Sequence, residues 1–463
     1  MPFDDLQSYL RALEAEGELL RIYKEVDRDV EISAVVKRAG EKAVWCERVR
    51  GFDMPVASNV FYNRRKIAVA LGVPVERCLW EYIDRVERHI PPRLVDDGPV
   101  HEVVWTGDEV DLERLPIPLV HPDDGGRCIS AGVIIARDPE FGVNVSIQRL
   151  QVTGRAKTGI FAGRTAHLNT FLQRAQARGE PLPIAVVVGC DPTLYMASQA
   201  KDPIGVDEYG VAGALRQQPV DVVRGVTVDL PVPADAEIVL EGYVPPGVRE
   251  PEGPFGEFHG YYGYGHEKDA PVVHYTAITM RRRPVLQSIY LGKPPTENNY
   301  LTELPRAATI YSLIRQAAPE VKDIHLSPGG CSNYTCVISL RKRYEGEGKL
   351  VLAAAMSIRL PLKQVIVVDD DIDIYNPLEV EWAVATRSQF DLDSVHLANT
   401  PTGLDPSAEF KRGALSLYRV GIDATKPYGK PYAVVCDIPA EAVAEVDRHW
   451  DEYITAPQPA AAP

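Results

Sequence analysis

Two carboxylates five residues apart, Glu252 and Glu257, stand in the stretch EGPFGEFHGYYG among four glycines, one proline and four aromatic residues. Acids walled by rings can serve as general acid and base. Desolvation raises the proton affinity of one, and a nearby cation keeps another ionised. On a straight strand residues five apart point to opposite faces, so Gly-Pro-Phe-Gly must turn if both acids are to serve one site. A glycine-rich surface loop with two exposed acids satisfies the same pattern, and the stretch alone leaves both readings open.

In FGVNVSIQRLQV, Asn144, Ser146 and Gln148 alternate with Val145, Ile147 and Arg149, a pattern that an ordinary half-buried strand also explains. A strand there carries the first three on one face and Arg149 on the other, unless a bulge intervenes. His167, in IFAGRTAHLNTFL, and Glu208, in DPIGVDEYGVAGAL, each stand where a helix starts. Cap, packing or helix-dipole duty would explain either one. Together Asn144, His167 and Glu208 offer an amide oxygen, an imidazole and a carboxylate, a set that suits Mn²⁺ or Mg²⁺ better than a thiolate-rich zinc site. Their spacing alone does not establish such a site. The acidic run Asp369–Asp373 is a rival metal candidate, but following the strand VIVV and preceding a helix it reads first as a turn and cap.

The elements that must position these residues follow from periodicity. Residues 4–16 carry helical spacing (Leu6, Leu10, Leu13) before Gly17, and EISAVVKRAGEKA repeats it ahead of the strand-like AVWCERV and PVASNVFYN. From about residue 101 to 300 β-branched runs dominate: GVIIARD, GVNVSIQRLQV, PIAVVVGCD and AEIVLEGYV. Helical interludes interrupt them at HLNTFLQRAQARG and EYGVAGALRQQP. VVHYTAITM and PVLQSIYLG, joined by Arg281–Arg283, read as a long antiparallel hairpin. Beyond LTELPRAATIYSLIRQAAPEV the order becomes strand, helix, strand, helix (YTCVISLRK, GKLVLAAAMSIR, KQVIVVDDD, PLEVEWAVATR), an α/β layer with a parallel sheet.

The 463 residues exceed one compact core, and 45% hydrophobic content provides a real interior. A net charge of −15 argues against nucleic acid or an anionic membrane as partner. Seven cysteines without a C-x-x-C pair suit a reducing compartment. The acidic start MPFDDLQSYL is unlike a signal peptide, and no apolar run reaches membrane-span length, so a cytoplasmic protein is expected. No dinucleotide-binding glycine motif or P-loop is present in the sequence.

Six ordered segments carry a resemblance: NVSIQR, AGRTAHL, DEYGVAGALR, EGPFGEFHGYYG, KPPTENNYL and KQVIVVDDDIDIYNP. Over roughly residues 5–450 the chain resembles the UbiD family of reversible decarboxylases, whose cofactor is prenylated FMN. The resemblance implies an α/β (α+β multidomain) fold. An N-terminal α/β domain would cover residues 1–105 and a central split β-barrel that binds the flavin residues 106–305. A C-terminal α/β oligomerisation domain with a flexible tail would cover residues 306–463. It implies Asn144, His167 and Glu208 as ligands of Mn²⁺ (or Mg²⁺), and K⁺ on the carbonyls of Val145, Ala197, Ser198 and Ala200. Arg149, Glu252 and Glu257 match the catalytic network. Cofactor contacts would come from Asn144, Ser146, Ile147, Gln148, Arg149, Ala166, His167 and Glu208, with Lys363 on the flavin phosphate.

The implied reaction is non-oxidative, reversible loss of CO₂ from an aromatic, heteroaromatic or α,β-unsaturated carboxylic acid, through a covalent substrate–cofactor adduct with Glu257 as proton donor. A UbiX-type flavin prenyltransferase would supply the cofactor, and the assembly would be a homodimer or homohexamer. Phe258, Leu301 and Thr296–Asn299 are the expected pocket positions. Two other classes fit parts of the sequence: a non-catalytic subunit of a multi-subunit carboxylase, and a hydrolase using Glu252 and Glu257 as a carboxylate pair.

Overall fold

The computed structural model describes residues 3–163, 166–263, 268–401, 404–411 and 414–455. The tail APQPAAAP, and Arg164 and Thr165 of the AGRTAHL segment, lie outside the described residues. The first helix, Leu6–Ala15, starts at Asp5, whose carboxylate accepts the Ser8 N–H at 2.7 Å while the Ser8 hydroxyl accepts the Asp5 N–H. It buries Leu6, Tyr9, Leu10 and Leu13, the face that the spacing predicts. Behind it a four-stranded sheet runs in the order Leu19–Ile22, Ala43–Cys46, Val56–Ser58 and Leu286–Ser288.

The last of these strands corrects the expected hairpin. Leu286–Ser288 pairs in parallel with Val56–Ser58 and not with Lys268–Met280, which remains in the central sheet. The cause lies at the turn. The Arg281 guanidinium is drawn to Asp5 at 2.9 Å, and the Glu237 carboxylate accepts the N–H of Val285 at 2.9 Å and of the Gln7 amide at 2.9 Å. These bonds carry the chain across to the N-terminal layer. A period-two pattern reports a strand but not its neighbour.

Six antiparallel strands close the central barrel: Cys128–Asp138, Gly142–Gly154, Lys157–Gly159, Leu182–Val188, Ile238–Val244 and Lys268–Met280. Closure comes from pairing Ile238–Val244 with Lys268–Met280. Branched side chains such as Ile134, Val186 and Leu240 fill one buried cluster, and Val133 and Val187, from the opposite faces of two of these strands, belong with Val145 to another. The bulge sits on the strand facing Arg149. Ile129 opposes Leu150 and Gly132 opposes Gln148, so Ser130 and Ala131 together face one residue. The short strand Val103–Thr106 also pairs with Lys268–Met280, across the expected boundary at residue 105.

Helix Glu297–Ile314 runs through the second expected boundary and leads into the C-terminal layer. Its central strands Thr335–Leu340, Gln364–Asp369 and Ala414–Ala424 are parallel, as expected, while Val321–Leu326 and Ser394–Pro401 add antiparallel edges. The acidic run is structural: Asp369 and Asp371 bind Arg387 at 2.9 and 2.7 Å, and Asp371 binds Lys426 at 2.8 Å. No helix among the described residues is long and apolar enough to cross a membrane.

Candidate active site

Arg149 projects from the barrel strand Gly142–Gly154 with 16% of its side chain exposed. Phe161 and Phe255 cover its guanidinium, with ring centroids 4.3 and 5.0 Å from Cζ. Glu252 ends the strand Arg249–Glu252, and Gly253, at φ +97°, turns the chain. Beyond it a small loop is tied by Glu257 N–H to Tyr261 O and Gly263 N–H to Phe255 O, at 3.0 and 3.2 Å. Both acids are therefore buried, at 6% and 4% exposure, and both face Arg149. The surface-loop reading is excluded.

The guanidinium uses the two acids unequally. Its NH1 donates to Glu257 Oε1, while its Nε stands 3.7 Å from Glu252 Oε1. Burial pushes both carboxyls above their ordinary range. Arg149 opposes that in each case, while Glu257 adds to the rise at Glu252, and Asp124 to that at Glu257.

Asn144 and Glu208 meet as well. Glu208 opens helix Glu208–Arg216 and accepts the Asn144 amide N–H and the Val145 backbone N–H, each at 2.8 Å. Burial pushes Glu208 up to about 8. His167 opens helix His167–Arg178 after Ala166, with Lys201, Asp202 and Arg359 as the charges acting on its ring. Among the described residues no three His, Cys, Asp or Glu side chains gather as a metal cage. The donor set still fits a divalent ion: the Glu208 carboxylate is buried and hydrogen-bonded by neutral amide N–H groups, with Lys201 as a nearby attracting charge. Of the four carbonyls expected for K⁺, that of Ala197 already accepts the Ala200 N–H at 2.9 Å, leaving one lone pair.

Cations that the sequence did not single out lie close by. Lys201 is exposed by accessible surface yet strongly desolvated by surrounding protein, as a side chain lining a hollow would be. Burial, with repulsion from Arg306, brings its pKa down to about 8, while Glu208 opposes the change. Burial alone brings Arg306 down to about 10, and its Nε has no hydrogen-bond partner. Two desolvated cations that repel each other, with Glu208 as the acid acting on Lys201, fit an anionic phosphate. Lys363 differs from expectation: its ammonium already binds Asp405 at 3.1 Å and Ser407 at 2.5 Å, which a phosphate would have to share.

Ser146, Ile147 and Gln148 are partly exposed on the strand leading to Arg149. Phe258 lies against Tyr334, with ring centroids 5.9 Å apart. The other expected pocket positions are mostly structural. Thr296 and Asn299 form a capping box, and Glu297 accepts the N–H groups of Asn59, Phe61 and Tyr290. Those three residues and Leu301 are fully buried, and only Asn298 of that loop is accessible.

Three models of the 3-octaprenyl-4-hydroxybenzoate carboxy-lyase family match in order: the N-terminal domain over residues 10–86, the Rift-related domain over 93–294 and the C-terminal domain over 299–424. The chain belongs to the UbiD family. Similar UbiD structures include the UbiD-class enzyme HmfF from Pelotomaculum thermopropionicum in complex with FMN, 43% identical over 96% of this chain and 99% of that one, with TM-score 0.89. Vanillic acid decarboxylase from Sedimentibacter hydroxybenzoicus, in open form, is 31% identical over 98% of this chain and 100% of that one, with TM-score 0.85. An uncharacterized protein of Archaeoglobus fulgidus is 35% identical over 98% of this chain and 99% of its own length. As a UbiD-type enzyme the protein is a carboxy-lyase of a flavin-using class.

Proposed function

We propose that the protein removes CO₂, reversibly and without net oxidation, from an aromatic, heteroaromatic or α,β-unsaturated carboxylic acid, using prenylated FMN supplied by a UbiX-type prenyltransferase. One observation carries this reading: Arg149 lies between two buried glutamates beneath two aromatic rings, inside a UbiD barrel. When bound, the modified flavin supplies the sink for the electron pair released with CO₂. Asn144, His167 and Glu208 would hold Mn²⁺ or Mg²⁺ near its phosphate, and the carbonyls of Val145, Ala197, Ser198 and Ala200 would hold K⁺. A homodimer or homohexamer in the cytoplasm completes the proposal.

The side chains do the rest. The Arg149 guanidinium holds Glu257 with one arm and leaves its buried Nε without a hydrogen-bond partner, and it offers an incoming carboxylate a planar grip. That carboxylate competes with Glu257 for the guanidinium. Glu257, buried and deprived of its cation, then favours its protonated form. A protonated Glu257 can deliver that proton to the carbon that CO₂ has left, and the Phe161 and Phe255 rings exclude water from the exchange.

The test is protein co-produced with a UbiX-type prenyltransferase and offered a panel of aromatic, furan-type and acrylic acids. Solvent deuterium should enter the product at the former carboxyl carbon. Full activity in flavin-free protein, or no exchange with any acid at full flavin occupancy, overturns the proposal.

A further inference from the structure

The turn from His121 to Gly126 is joined to the loop that presents Glu257. Gly125 N–H donates to Pro254 O at 2.7 Å. Gln151 bridges the same two segments, accepting the Gly253 N–H at 2.6 Å and donating to Gly125 O at 2.9 Å. A Cβ on Gly125 would stand 2.1 Å from Gly253 O, so only glycine lets the backbones approach this closely.

Within this turn the Asp124 side chain is wholly buried, with 0% exposure. One of its oxygens accepts the Gly256 N–H at 2.8 Å and the other the His121 N–H at 2.9 Å. Among the described residues the one basic atom within ion-pair reach is His121 Nδ1, at 3.6 Å, and that atom makes no hydrogen bond. Asp124 thus braces the residue next to Glu257 while carrying a charge that no guanidinium or ammonium matches. The charged and titratable groups facing Glu257 are Arg149 from the barrel strand, Glu252 across the turn, Asp124, and Tyr334 from the C-terminal layer. Asp124 and Glu252 oppose ionisation of Glu257, and Arg149 favours it.

We propose that Asp124 is a positioning residue, which clamps the turn presenting Glu257 and sets its own unmatched carboxylate against the residue before that acid. This deepens the functional reading above and rests on it. Asp124 acts through Glu257 and touches no reacting atom. Two amide hydrogen bonds fix where the Glu257 side chain starts, and the unmatched charge sets how readily it ionises.

The test compares the cofactor-loaded parent with Asp124→Asn and Asp124→Glu. Asn keeps one acceptor and loses the charge; Glu keeps the charge in a poorer geometry. Two readouts are taken against pH: turnover with solvent deuterium exchange, and the infrared band of the protonated Glu257 carboxyl, assigned by its loss in Glu257→Gln. In Asp124→Asn the alkaline limb and the band titration should move acidward by roughly one pH unit, the size expected for losing a nearby like charge. In Asp124→Glu both should remain near the parent's pH while turnover falls about tenfold. An unmoved band in Asp124→Asn, or equal displacement in the two variants, overturns the proposal. The band is read without turnover, so a displaced band in protein that decarboxylates no acid would sustain the role of Asp124 and sink the decarboxylase reading instead.

Discussion

Nε of Arg149 and Oε1 of Glu252 face each other across 3.7 Å, and neither atom has a hydrogen-bond partner. The opposite arm of the same guanidinium is bound to Glu257. One cation therefore serves two carboxylates, one by contact and one across a gap. A substrate carboxylate that reaches the plane of this guanidinium competes with both acids for it.

Glu252→Gln tests this division of labour. Two buried acids against one cation leave an excess of negative charge, and each glutamate already has a raised pKa. Neutralising Glu252 should leave stability unchanged or raise it by about 1 kcal/mol, because it removes a poorly paired buried charge. Turnover should fall, by about ten- to a hundredfold, as Arg149 loses the field that orients its guanidinium. Calorimetric Tm and kcat measured on one preparation decide the matter. A variant that is both less stable and fully active would contradict the arrangement.

Two acids around a glycine turn make Glu252 and Glu257 stand out in the sequence, while their partner Arg149 comes only from the resemblance, and the structure brings the three together. The sequence reveals less where partners come from afar. The bulge opposite Arg149 resides in Ser130 and Ala131, on a strand whose own alternation looks regular. Leu286–Ser288 joins a sheet begun more than two hundred residues earlier, a choice made by Asp5 and Glu237 at the turn. Asp124 reads as an ordinary turn acid until Gly256 donates to it. Thr296–Asn299 reads as a pocket loop because polar residues at a helix start serve caps and sites alike.

That last correction has its own test. Thr296→Val keeps the volume and removes the hydroxyl that completes the capping box of Glu297–Ile314. Stability should drop by about 1 kcal/mol, while the order of preference among acid substrates stays the same. Denaturant unfolding and a substrate panel measure the two effects separately. A changed substrate order with unchanged stability would return this loop to the pocket.

Glu208→Ala and His167→Ala probe the metal proposal. Glu208 supports the Asn144 amide and the Val145 N–H, and its burial calls for a stronger match than the attraction of Lys201. If a divalent ion supplies that match and anchors the flavin phosphate, each variant should lose manganese and flavin together. Elemental analysis and the flavin absorbance report both occupancies. Normal manganese in both variants would refute the assignment. The run Asp369–Asp373 is a poor refuge for the ion, since Arg387 and Lys426 already occupy Asp369 and Asp371.

The final prediction follows the proton. Glu257 is buried, bound to Arg149 and raised above its ordinary range. A substrate-like carboxylate that takes over the guanidinium removes its main stabilising charge, so binding should raise the Glu257 pKa further and draw a proton from solvent. The sign is definite: the bound state holds more protons, so affinity for a non-reactive carboxylic acid should weaken as pH rises through the free-state pKa of Glu257. Calorimetric titration in buffers of different ionisation enthalpy counts the protons taken up. The parent should show net uptake on binding, and Glu257→Gln should show none from this site. The same variant should bind flavin normally and lose about a hundred- to ten-thousand-fold in turnover, the usual worth of a general acid. Equal proton uptake in the two proteins, or parental turnover in a fully loaded Glu257→Gln, would assign the proton to another group.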